Sequence, residues 1–131
     1  MSTYYGRSDV LAEGANADVD TVEEDVVSVT TTGATPNSQL SIYIDHDLGT
    51  HTSMKVRYYY QNEVSGDWYQ VPLKTAATGI LSDTPTLLDT SSPAKLVEDI
   101  PFSACFGFKV TAQGVGGANG SITAKILTRN N

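Results

Sequence analysis

Any chemistry in this 131-residue chain has to come from few residues, since it holds two histidines and one cysteine. Asp45-His46-Asp47 followed by His51 sets imidazole and carboxylate at short spacing, a donor set for zinc or a harder cation. Alternation along an extended segment puts Asp45 and His46 on opposite faces, and there is no third, distant histidine. The expectation is therefore a solvated loop with two exposed histidines, not a metal centre. The same group is the sole acid–base candidate, and no nucleophile stands beside it. No catalytic residue and no cofactor are expected.

Three other stretches imitate known sites. Gly114-Val-Gly-Gly-Ala-Asn-Gly120 has the look of a dinucleotide-binding loop, but strands are expected on both sides and no helix follows to meet a pyrophosphate. It reads as a flexible hairpin tip, and the glycosylation acceptor pattern Asn119-Gly-Ser121 is idle without secretion. Asp18 to Asp25 lacks the glycine and the spaced oxygen ligands of a calcium loop. Cys105 has no base near it in sequence and reads as a small half-buried residue.

One constellation remains. Arg57, Tyr59 and Trp68 fall on outward positions of two neighbouring arms, and arginine beside tyrosine and tryptophan is the composition of an interface hot spot. The competing reading is ordinary cross-strand packing of aromatic residues.

The arms that position this patch run from Met54 to Leu73. Met54, Val56, Tyr58 and Tyr60 alternate with Lys55, Arg57, Tyr59 and Gln61, as they do in a half-buried strand. After the polar connection Asn62 to Asp67, a second arm sets Tyr69, Val71 and Leu73 opposite Trp68, Gln70 and Pro72. The same two-residue period marks Val27-Val29-Thr31, Leu40-Ile42-Ile44, Phe106-Phe108-Val110-Ala112 and Ile122-Ala124-Ile126-Thr128. Turns fall at Gly33 to Asn37 and across the glycine run. Lys74 to Pro93 predicts a long excursion with one short strand near Thr86, and Leu96-Val97-Ile100 a strand or helical turn. The fold expected is an all-β antiparallel sandwich of about seven or eight strands, Ig-like or jelly-roll in order.

Charge divides the chain differently. The net charge is −7, and residues 1–25 carry −6 of it. Residues 1–24 thus read as a flexible acidic N-terminal arm ahead of a nearly neutral sandwich domain, residues 25–131. Tyr4, Tyr5, Val10 and Leu11 are the residues by which such an arm would dock on a neighbouring subunit. No basic cluster exists to bind nucleic acid, and no run of about 18 apolar residues exists to cross a membrane. A lone cysteine and the lack of a recognisable signal peptide fit folding in a reducing cytoplasm.

Ser65-Gly-Asp-Trp-Tyr-Gln-Val-Pro72, the Thr/Ser/Gly excursion, Phe106-Gly-Phe-Lys-Val-Thr-Ala-Gln113 and Gly120-Ser-Ile-Thr-Ala-Lys-Ile126 resemble small β-sandwich virion proteins of tailed bacteriophages. The resemblance, over roughly Asp25 to Arg129, is to capsid decoration (cement) proteins, with similar modules in neck, tail and fibre proteins. It implies a non-enzymatic virion protein made in the bacterial cytoplasm. Its partners would be the major capsid protein or other virion proteins, and it would form a homo-oligomer, trimeric by expectation. A carbohydrate-binding module using the exposed aromatics is the alternative carried by the residues themselves.

Overall fold

The computed structural model describes residues 7–30, 38–63, 66–71, 73–74, 81–82, 86–88, 94–100 and 107–130. Among these there is no helix, and the strands are β1 (Arg7–Val19), β2 (Glu24–Val29), β3 (Ser38–Asp47), β4 (Ser53–Gln61) and β5 (Trp68–Gln70). The chain continues through β6 (Leu73–Lys74), β7 (Leu81–Ser82), β8 (Thr86–Leu88), β9 (Ala94–Asp99), β10 (Gly107–Val115) and β11 (Gly120–Asn130). One sheet has the order β1-β11-β3-β9 and the other β2-β10-β4-β5, with β8 also on β4; β6 and β7 pair separately. All pairings are antiparallel.

That order settles the choice between topologies. Consecutive long strands alternate between the sheets, and β11 inserts between β1 and β3 while β10 inserts between β2 and β4. This is the double Greek key of a jelly roll. Between the sheets lie Leu40, Ile42 and Ile44 of β3 with Ile122, Ala124 and Ile126 of β11. Met54, Val56 and Tyr58 of β4 and Phe108, Val110 and Ala112 of β10 meet them. Each set is the inward half of a two-residue alternation, so burial follows directly from the pattern. Tyr58 stacks on Phe108 at 6.0 Å between centroids, and Tyr60 tilts against the same ring at 5.8 Å.

Two expectations are corrected here. Arg7–Val19, expected within a flexible arm, is the thirteen-residue edge strand β1, paired along β11 from Arg7↔Asn130 to Val19↔Gly120. Its side chains are too small to drive this alone; β11 supplies the apolar wall, and Val19 is sealed completely. Leu11, expected to dock on another subunit, sits where the register shifts and packs on its own core, while Val10 is exposed. Tyr4, Tyr5 and Cys105 lie outside the described residues.

The glycine run is the second correction. Because β10 and β11 belong to different sheets, residues 116–119 cross between the layers and are not a hairpin tip. The β1–β2 and β3–β4 connections make the same kind of crossing.

Candidate functional site

β4, β10 and β2 lie side by side, so their outward side chains form one continuous surface on the second sheet. In register, Tyr59 stands opposite Lys109 and Arg57 opposite Thr111, while Trp68 is brought up beside Gln61 by the pairing of β5. The three predicted residues Arg57, Tyr59 and Trp68 are thereby gathered on the same face, all half-buried. Lys109, missed in the sequence reading, joins them: its ammonium lies 4.9 Å from the Trp68 centroid and 5.2 Å from that of Tyr59. Asp25 Oδ1 lies 3.6 Å from the same nitrogen.

A second missed residue organises the patch. Glu23, in the β1–β2 crossing, accepts hydrogen bonds on Oε2 from the Tyr59 hydroxyl and from Thr111 Oγ1, the latter at 2.6 Å. Its Oε1 stands 3.5 Å from Arg57, which also donates to Gln113 Oε1 at 3.0 Å. Gln113 in turn donates to the Thr21 carbonyl at 3.0 Å. Burial would raise the Glu23 pKa, but the hydrogen bonds from Thr111 and Tyr59 and the charges of Arg57 and Lys109 outweigh it, and the net shift is downward. The phenol of Tyr59 moves the other way, pushed up to about 12 by burial and then by the carboxylate it donates to. In sequence Glu23 belongs to a run of acids indistinguishable from a solvated tail; only the turn back into β2 aims it at Arg57.

The histidines of the candidate group weighed in the sequence are not on a solvated loop. His46 is 2% exposed on the inward face of β3, opposite Ile122, and His51 is 5% exposed in the β3–β4 crossing. The expected solvated loop with exposed histidines is therefore overturned: β3 runs on through Asp47, and the inward phase of Leu40, Ile42 and Ile44 carries His46 inside with them. Neither His46 nitrogen has a hydrogen-bond partner among the described residues. His51 Nε2 meets the Val19 carbonyl at 2.8 Å, and since a carbonyl only accepts, that nitrogen carries the proton. No group of three His, Cys, Asp or Glu that could hold a metal occurs among the described residues.

His51 is instead the pin of one end of the sandwich. Its ring lies over Gly114 and Gly120, and a Cβ on Gly114 would fall inside the ring's van der Waals envelope. Around it the three crossings tie together. Thr50 N and Oγ1 donate to the Ala118 carbonyl at 3.0 and 2.9 Å. Thr52 N donates to the Val115 carbonyl at 2.9 Å, and Gly114 N to the Asp20 carbonyl at 2.7 Å. The glycines that imitate a nucleotide loop serve close packing of backbone and ring.

No protein-family model matches this chain, and no curated protein does. Among solved structures, the crystal structure of PirA superposes with a TM-score of 0.50 at 12% identity, covering 96% of each chain. The infectious bursal disease virus VP2 subviral particle gives a TM-score of 0.44 at 13% identity, with this chain spanning 32% of that one. A mutant of CBM29-2, of the family 29 carbohydrate binding modules, gives 0.43 at 12% identity over 94% of this chain and 91% of that one. At such identities the likeness is one of fold.

Proposed function

We propose that this chain is a non-enzymatic virion structural protein, a jelly-roll module that attaches to a capsid surface and reinforces it. The observation that carries this reading is the outward patch of Arg57, Tyr59, Trp68 and Lys109. Arg57, Tyr59 and Lys109 are held before any partner arrives by Glu23, Asp25 and Gln113, and Lys109 in turn lies over the Trp68 ring. Ordering long side chains on binding costs about 0.5–1.5 kcal/mol each, so a face already ordered keeps more of its contact energy. Aromatic rings flanked by arginine are also the residues that anchor protein interfaces. The resemblance to phage decoration proteins supports the capsid as that partner, with self-association of the decorating subunits, trimeric by expectation.

Purified particles provide the test. The protein should be present in virions at high copy number, and Arg57→Ala with Trp68→Ala should lower its occupancy on shells without unfolding it. Full occupancy by that double variant removes the patch from the mechanism, and absence from virions removes the role. Labelling at a neck, tail or fibre would place the same module elsewhere on the particle.

Carbohydrate binding is the second reading, favoured by the presence of the Trp68 and Tyr59 rings on one outward face. Lys109 lies over both rings, so a sugar stacking there has to displace it. Retention of a glycan by the wild type and its loss in Trp68→Ala would establish this alternative; a wild type that retains none ends it.

A further inference from the structure

The free edge of β1 has the properties of a docking rail for another protein's strand. Only β11 pairs with β1 among the described residues, and β1 ends its sheet, so the far side of Ala12 to Asn16 has no backbone pairing to another described strand. Beyond it Asp18 N is taken by Asn16 Oδ1 and the Val19 carbonyl by His51 Nε2. Natural edges of this length are blunted by charged residues, proline, bulges or cover, and β1 carries acids and two register shifts but neither lysine nor proline. From Ala12 to Asp18 this one reads Ala-Glu-Gly-Ala-Asn-Ala-Asp, four of the seven residues being glycine or alanine. Register is unbroken from Ala12 to Asn16, between two irregularities, which leaves a straight segment.

Two further features say what would lie there. Val10 near the start of β1 and Val22 in the β1–β2 crossing are 56% and 66% exposed. Along this stretch Glu13 and Asp18 on β1, then Asp20 and Glu24, are exposed carboxylates, with Lys125 of β11 opposite Glu13. No lysine or arginine occurs between Arg7 and Lys55. A second copy laid along this edge would set acid against acid, which is unfavourable for directly opposed strand residues.

We propose that β1 accepts, by strand addition, an extended segment of a different protein in which basic and apolar residues alternate. Backbone pairing would supply the affinity and the acidic rail the selection. The inference rests on the reading of this chain as an assembly component, but it uses a different surface from the Trp68 face.

The experiment uses the full-length, isotope-labelled chain and three synthetic peptides of about ten residues, the length of a long strand. One alternates Lys and Val, one alternates Glu and Val, and one repeats the first with proline at alternate valines, which keeps the charge but cannot pair. The Lys/Val peptide should shift the amide resonances of Ala12 to Asn16 and, at ten times its Kd, slow their hydrogen exchange about tenfold. The other two peptides should do neither, and Glu13→Gln with Asp18→Asn should weaken the effect. Equal binding of the proline peptide, or shifts that fall away from β1, would overturn strand addition. Protection of β1 in the peptide-free chain, with dimerisation, would make a second copy the occupant and overturn the proposal as well. Trp68→Ala should leave the peptide response intact, so a failure here and a failure of capsid attachment remain separable.

Discussion

Glu23 shows how much one side chain from an unpromising stretch can organise. Its pKa is lowered in the folded chain, so its contribution to stability is fully present above the unfolded carboxylate pKa and disappears as pH falls through the folded value. Glu23→Gln should therefore cost about 1 kcal/mol near neutrality, a modest figure because the side chain is 33% exposed. Thermal unfolding followed against pH should show the two proteins converging in acid; a constant gap would deny the carboxylate its charge-dependent role. Tyr59 supplies the alkaline counterpart. Because its pKa is raised, the stabilisation is intact below the ordinary phenol value and is lost as pH climbs from 10 to about 12. Subtracting the ultraviolet titration of Tyr59→Phe from that of the wild type should leave a single late-ionising phenol, and a difference curve centred at the ordinary value would contradict the Glu23 contact.

At the level of elements, the three crossings and the His51 ring form one unit. Gly114→Ala should destabilise the chain by about 1–3 kcal/mol, because the new methyl has to displace a buried imidazole. Adding His51→Ala should recover part of that loss, with a coupling of about 1 kcal/mol measured by denaturant unfolding of the single and double variants. Strict additivity would mean that ring and glycine do not meet. β1 is a second such element. Removing residues 1–19 should expose Ile122, Ala124 and Ile126 along β11 and abolish cooperative unfolding by circular dichroism, whereas loss of a mere arm would leave the transition unchanged. Gly14 belongs to this interface, since a Cβ there would strike the Val26 carbonyl of β2.

For the whole molecule, the jelly roll closes an apolar interior between two sheets and leaves two dissimilar outer surfaces. One carries the interlocked Arg57–Tyr59–Trp68–Lys109 face, and the other ends in the acidic rail of β1. The two proposed contacts, with a shell and with an extended segment of another protein, would use one of these surfaces each, so each can be disabled alone. Analytical ultracentrifugation of the wild type should give a closed oligomer whose mass is unchanged by Glu13→Gln with Asp18→Asn. A fall to monomer would place the self-contact on β1.

The sequence by itself determined the inward faces. Leu40-Ile42-Ile44, Met54-Val56-Tyr58, Phe108-Val110-Ala112 and Ile122-Ala124-Ile126 are legible as core because side chains alternate along a strand whatever lies beside it. Arg57, Tyr59 and Trp68 could be placed together for the same reason, within one local pair of arms. What the tertiary structure decided is everything that depends on which strand lies next to which: the jelly-roll order, Lys109 and Glu23 joining the patch, β1 drawn out of its acidic stretch, and two histidines buried. Val26 and Val27 illustrate the limit at the smallest scale, since both are buried where the register of β2 on β10 shifts, and no alternation predicts that. Periodicity is a property of a strand alone; pairing is settled by the closing of distant segments over a shared interior, and that information is spread across the whole chain.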